Sequence, residues 1–295
     1  MEIRVSLSGE GPEAAGLNGL AGVGLLRGEF IFRARGEYLS VPGALVQLQD
    51  YLRRACSAFS EGPVWYRLAD LWSDEAKTLA GSPTEPEEPN PILGLRGVRR
   101  GLTYRAALNA ELGAVTEIAQ RHGNLHLLLP FVQDADEFAA VAAEAANHGW
   151  PNRIGSMVEI PSAVLDARRL VDAGATNLLV GLNDLTSLML GRERSEPGLK
   201  LHRAVWWAID HLANTLPAGV EWGIGGSLSP ALLDRARQAG APYVTIHYAE
   251  LPKLLGTDAK LLEDREHVRN VKAKTRAAKE AQAGRAHGPH DEGVR

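Results

Sequence analysis

The sequence predicts an α/β fold, a closed (β/α)8 barrel, and three observations carry that prediction. Short apolar runs alternate with amphipathic segments through most of the chain. The runs are apolar at successive positions, as strands are when helices cover a parallel sheet. About eight such repeats fall within roughly 250 residues, which suits a closed TIM barrel better than an open sheet.

Taken in order, strands are expected at Ile3 to Leu7, Ala21 to Leu26, Val64 to Leu68 and Leu125 to Pro130. Ile154 to Glu159, Asn177 to Gly181, Val220 to Ile224 and Tyr243 to His247 complete the set. Helical periodicity runs over Ala106 to Arg121. A second helix is expected from Asp134 to Asn147, with Asp134 as N-cap and Gly149 as stop. Ser162 to Ala173 starts beside Pro161 and ends at Gly174; Leu201 to Leu216 and Ser229 to Ala239 follow. A long excursion after the third strand, Asp70 to Gly101, is rich in Pro and Glu. Loops of that length in compact domains are usually functional or disordered. From about Lys260 charges of both signs mix with no apolar stripe. The expected division is therefore a barrel over 1–258 and a charged tail over 259–295, a solvated helix fraying into disorder.

Composition sets the outer limits. The 295 residues are 45% hydrophobic, enough for a large core. A net charge of −4 offers no global field for nucleic acid or an anionic membrane. The single cysteine, Cys56, excludes an internal disulfide and a Cys-rich zinc site. Its segment looks helical, so a half-buried packing role is expected. No charged-then-apolar leader opens the chain and no apolar run of about 18 residues occurs, so a soluble cytoplasmic protein is expected.

Active sites of such barrels lie at the C-terminal ends of the strands. Arg27 follows the second predicted strand, Arg67 ends the third, Glu159 ends the fifth, and Asn183 and Asp184 end the sixth. Charged groups at those ends converge on one mouth. Glu159 and Asp184 offer hard oxygen ligands of the kind magnesium takes, one or two carboxylates with substrate and water completing the shell. The alternative is two ordinary carboxylates paired with arginines. Arginine donors match carboxylate and phosphate oxygens bidentately. Arg27, Arg67, Arg96 and Arg194 together would crowd one site with positive charge, which suits a ligand bearing both groups. A metal and several arginines around a small acid can stabilise an enolate or a transferring phosphoryl group.

The segments carrying these residues resemble the phosphoenolpyruvate-binding barrel of the PEP-utilising enzymes. That group comprises phosphoenolpyruvate synthase, pyruvate phosphate dikinase and enzyme I of the sugar phosphotransferase system. The resemblance runs from about Gly22 to Gly256. Gly22-Val23-Gly24-Leu25-Leu26-Arg27-Gly28-Glu29-Phe30 resembles the first arginine motif, with Gly28 where a threonine is usual. Arg67-Leu68-Ala69-Asp70 resembles the second, in a form closest to the synthase. Asn90 to Gly97 resembles the third and most specific; Met157 to Pro161 and Asn183-Asp184-Leu185-Thr186 resemble the metal motifs. Arg194 lies at the family's spacing beyond Asn183. The resemblance implies that Arg27, Arg67, Arg96 and Arg194 hold phosphate and carboxylate, that Glu159 and Asp184 ligate Mg2+, and that Asn183 lies close to the substrate. It also implies phosphoryl transfer between phosphoenolpyruvate and a histidine on a swivelling domain, and a homodimer.

Two departures stand out. No segment resembles the phosphohistidine motif or a nucleotide-binding domain, so a trans-acting phosphohistidine or ATP-grasp protein is the expected partner. The family's Gly-x-Cys-Gly reads Gly223-Ile224-Gly225-Gly226 here, so the cysteine that handles the enolate proton is Gly225. His247 and Ser227 are the nearest replacement candidates. His247 is an imidazole in a suitable range for acid–base work, or a hydrogen-bonded rim residue; Ser227 is otherwise a helix or turn cap. Three functions fit the sequence: a phosphotransferase-type barrel binding phosphoenolpyruvate or pyruvate, an enolate-based lyase, aldolase or small-molecule phosphotransferase, and a non-catalytic phosphoenolpyruvate-binding protein.

Overall fold

The computed structural model describes residues 1–9, 11, 19–193, 196, 198–251 and 265–286. Its sheet is a closed parallel barrel with strands in sequence order. They are β1 (Glu2–Leu7), β2 (Val23–Arg27), β3 (Val64–Arg67), β4 (Leu125–Leu129), β5 (Ile154–Val158), β6 (Asn177–Gly181), β7 (Glu221–Gly226) and β8 (Tyr243–His247). Every predicted strand is present, with ends shifted by at most two residues. The ring closes through β1 and β8, where Val5 pairs with Ile246.

The helices in chain order are α1 (Glu29–Arg35), α2 (Pro42–Ala58), α3 (Ser73–Ala76), α4 (Gly97–Thr103), α5 (Arg105–Ala119) and α6 (Ala135–Asn147). Then come α7 (Pro161–Leu165), α8 (Ala167–Asp172), α9 (Leu182–Leu190), α10 (Arg203–Thr215), α11 (Pro230–Gln238) and α12 (Arg265–Ala286). Asp134 caps α6, accepting from the amides of Asp136 and Glu137 at 3.1 and 2.9 Å, and Gly149 follows it at φ +73°. The single helix expected over Ser162 to Ala173 is instead split at Asp166. The carboxylate of Asp166 accepts from the Ala135 amide at 2.7 Å and so ties this corner to α6.

The core has two layers, as a barrel requires. Outward side chains of the strands pack under the helices, while Leu25, Trp65, Leu128, Met157, Leu179 and Tyr243 fill the barrel interior. Cys56 is fully buried on α2, not half-buried, and burial pushes its thiol up to about 12. No helix among the described residues is long and apolar enough to cross a membrane.

The excursion after β3 is structured, and residues near its two ends, Asp70, Trp72, Glu75 and Arg96, line the barrel mouth. A buried ion pair between Arg100 and Glu85 holds it, and the Leu95 amide donates to Glu88 at 2.7 Å. The tail is helical as expected over Arg265–Ala286, but it is docked rather than wholly solvated. Helix α12 docks on α1 and α3 through Val271 and Thr275, each 5% exposed. These two residues, one turn apart, form a buried face too narrow to stand out in a charged sequence. Residues 252–264 and 287–295, and with them the expected division at 258, lie outside the described residues.

Candidate active site at the barrel mouth

The C-terminal ends of the strands surround a cleft of about 750 Å³. Arg27, Arg67, Arg96, Glu159, Asn183, Asp184, Gly225 and His247 all line it. Arg194 lies outside the described residues.

Arg27 and Arg67 are register partners at the ends of β2 and β3. The Arg27 guanidinium donates to Ser8 and lies 4.7 Å from the Phe30 ring centroid. Arg67 is buried; its Nη2 meets Glu29 Oε1 at 2.6 Å, and its Nη1 lies 3.4 Å from Asp70 Oδ2 and 4.0 Å from Glu159 Oε1. Arg96 precedes α4 in extended conformation and forks onto Asp70, at 3.0 Å through Nε and 2.6 Å through Nη2. The same Nη2 lies 3.5 Å from Asp184 Oδ2. The structure thus gathers two arginines and four carboxylates into one buried network. The positive crowding expected from sequence is offset by Glu29 and Asp70, partners that sequence reasoning left without a role. A signal was available: each lies within three residues of an arginine at a strand end.

Gly28 explains one departure from the family motif. A Cβ there would strike the Tyr66 phenol. That phenol donates to Glu111 at 2.6 Å, and the Ala69 amide donates to the same oxygen at 2.9 Å. A buried carboxyl therefore braces the turn between Arg67 and Asp70 from behind.

Phe131, just past β4, has φ +52°, a strained value for a bulky residue. Its amide donates to Glu159 Oε2 at 3.1 Å, and its ring lies 4.0 Å from the Arg96 guanidinium carbon. One backbone strain therefore serves two site residues, and nothing in the sequence marks it.

Glu159 directly follows β5, and Asp184 lies in the first turn of α9, just after β6. Burial first, then the nearby Asp184 charge, holds the Glu159 carboxyl above its ordinary range; Arg67 opposes the shift. Gly181 leaves room for that carboxyl, because a Cβ there would collide with it. These two carboxylates are the residues that could hold a divalent cation. Among the described residues no group of three or more His, Cys, Asp or Glu side chains forms a ready cage. Magnesium needs only one or two carboxylates with substrate oxygens and water. The mutual repulsion recorded in Glu159 is what a dication relieves, so the donor set fits.

His247 ends β8 as expected. Burial, then the charges of Arg27 and Lys272, push its pKa down to about 3. At neutral pH the imidazole is neutral and carries no proton to give as imidazolium, which weakens its case as a general acid. Ser227 is not a helix cap; it donates to Glu250 Oε1 at 2.7 Å, and Ser229 caps α11 instead. At Gly225 a Cβ would lie 3.4 Å from Leu179, an ordinary contact, with no backbone strain. The missing side chain is a vacancy of chemistry rather than a demand of packing.

Residues 6–224 match the family model described as PEP-utilising enzyme, PEP-binding domain. A probable phosphoenolpyruvate synthase of Pyrococcus abyssi is 32% identical over 244 residues, covering 77% of this chain and 30% of that protein. The phosphoenolpyruvate-protein phosphotransferase of Streptomyces coelicolor is 34% identical over 177 residues, 60% of this chain and 31% of that one. The chain thus spans about a third of the length of these relatives. Among solved structures, an HpcH/Hpal aldolase/citrate lyase family protein from Burkholderia cenocepacia superposes with TM-score 0.52 at 17% identity, covering 92% of this chain and 94% of that one. That likeness is one of fold.

Proposed function

This chain belongs to the PEP-utilising enzymes through their PEP-binding domain, and from that premise we propose that its mouth binds phosphoenolpyruvate or pyruvate with magnesium in a phosphotransferase-type reaction. The observation that carries this reading is the buried network in which Asp70 joins Arg67 to Arg96 beside Glu159 and Asp184.

In this reading Arg27 and Arg67 present guanidiniums to the phosphate and carboxylate oxygens. Arg194 is a third such donor by its spacing. Arg96, forked onto Asp70, orients the network and adds positive potential. Glu159 and Asp184 hold the magnesium ion, which when bound supplies Lewis-acid stabilisation of enolate charge. Asn183 offers its amide beside them. When phosphoryl passes from the enol oxygen to a histidine nitrogen, the electron pair of the broken P–O bond stays on that oxygen as the enolate; water then protonates the methylene carbon to give pyruvate, and the hydroxide left takes up the proton released by the histidine. The histidine, or an ATP-grasp unit, belongs to another domain or chain, and a dimer is the proposed assembly.

Gly225 favours one second reading. With no thiol at that position and space beside Leu179, an enolate could meet a carbon electrophile, giving aldolase or lyase chemistry on a 2-oxo acid.

Both readings meet in one assay. The protein is incubated with magnesium, labelled phosphoenolpyruvate and a phosphohistidine protein encoded beside it, and separately with pyruvate and aldehydes in deuterated water. Label in the histidine protein supports the first reading, and a carbon adduct supports the second. Binding without either product would sink both and leave a sensor.

A further inference from the structure

Helix α12 lies beyond the segment matched by the family model, which ends at residue 224, yet it reaches the cleft. Val268 and Lys272, one turn apart, both line the cavity. The helix is fixed along much of its length. Arg33 bridges Thr275 Oγ1 at 3.0 Å and Glu75 at 3.0 Å. Lys274 donates to the Ala34 carbonyl at 2.8 Å, Lys279 meets Asp74 at 2.6 Å, and Gln282 donates to the Lys77 carbonyl at 2.7 Å. These anchors lie on α1, which starts two residues after Arg27, and on and just after α3, which starts three residues after Asp70. The helix is therefore referenced to the segments that follow Arg27 and Arg67.

Arg27 at the end of β2 and the half-buried His247 at the end of β8 flank β1, and Lys272 lines the same cleft, where its charge and that of Arg27 both act on His247. In the barrel order the ends of β5 and β6, which lead into Glu159 and Asp184, face the β8–β1–β2 side from across the mouth. An ammonium is a compact point charge that suits an oxyanion without demanding bidentate geometry.

We infer that α12 completes the cleft, with Lys272 as a ligand-binding residue beside Arg27 for an oxyanion of the bound small acid. The inference rests on the phosphoenolpyruvate or pyruvate reading. The group taken is a phosphate or a carboxylate, and three probes separate them: magnesium phosphoenolpyruvate, pyruvate and inorganic phosphate, each titrated calorimetrically into the full chain. Lys272→Met is expected to weaken phosphoenolpyruvate about tenfold, and Lys272→Arg to retain most of the affinity. A loss shared with inorganic phosphate identifies the phosphate; a loss shared with pyruvate identifies the carboxylate. Val271→Asp places a charge in the buried seam under α12 and undocks it. It should weaken phosphoenolpyruvate as Lys272→Met does, and the double variant should be no worse than either single, because both act through one group. Unchanged affinity in Lys272→Met overturns the inference alone. Failure of the unaltered protein to bind any of the three overturns the reading of the site, and the inference with it.

Discussion

Arg96 and Asp70 form a bidentate pair, Nε to Oδ1 at 3.0 Å and Nη2 to Oδ2 at 2.6 Å, both nearly out of solvent. Asp70 also lies 3.4 Å from Arg67. One carboxylate therefore fixes two arginines that reach the cleft from different ends of the excursion after β3. A buried pair of this kind adds little net stability over an apolar equivalent, but breaking it leaves an uncompensated charge.

Asp70→Ala should therefore cost about 3–5 kcal/mol of unfolding free energy. Denaturant titration checks this. A midpoint equal to the unaltered protein's would show that Arg96 finds another partner.

Glu111 predicts a pH dependence. Burial pushes its carboxyl up to about 7, although the Tyr66 hydroxyl and Ala69 amide pull the other way. The folded state then holds this proton more tightly than the unfolded chain. The contribution is full below the ordinary carboxylate value near 4.5 and is lost as pH rises to about 7, on the order of 3 kcal/mol. Glu111→Gln keeps the accepting oxygen and removes the titration. The stability difference between pH 5 and pH 8 should shrink by most of that amount in the variant; an unchanged difference would exclude Glu111 as its source.

His247 should stay neutral from pH 5 to pH 8, because its pKa is pushed down to about 3. The sign here is opposite to that of Glu111. The folded state binds this proton less tightly, so the contribution is present above the ordinary imidazole value and is lost on acidification towards about 3. Histidine ring resonances followed by NMR, with His247→Gln for assignment, test this. Lys272→Met should move the titration upward by removing one of its causes. A midpoint near the ordinary imidazole value in the unaltered protein would contradict it.

Gly225→Cys should fold with a stability change below about 1 kcal/mol, since its Cβ meets only Leu179 at ordinary distance. A thiol reagent should then label one site quickly, because Cys56 is buried with its thiol pushed up to about 12. Deuterium uptake at the pyruvate methyl should rise at least tenfold over the unaltered protein. Equal uptake would show that the missing thiol does not limit proton transfer.

The barrel was legible in sequence because its strands are uninterrupted apolar runs, and burial on both faces leaves few other readings for them. The strand-end positions of Arg27, Arg67 and Glu159 followed from that framework. Other parts depend on partners distant in sequence. Asp166 breaks a helix because the Ala135 amide is there to be accepted. Phe131 adopts a strained backbone because Glu159 and Arg96 use it. Helix α12 looks solvated because, among its described side chains, Val271 and Thr275 are the ones buried. His247 sits where the apolar run placed it, yet its proton affinity is lowered first by burial and then by the charges of Arg27 and Lys272, an environment no linear spacing shows.

The most direct test of the account is oxalate titration with and without magnesium, in the unaltered protein and in Glu159→Gln. Oxalate mimics the planar enolate of pyruvate. Magnesium should strengthen oxalate binding at least tenfold, about 1.4 kcal/mol, in the unaltered protein, and the gain should vanish in Glu159→Gln. Oxalate binding indifferent to magnesium, or an equal gain in Glu159→Gln, would contradict the assignment of the Glu159–Asp184 pair and with it the proposed chemistry of the mouth.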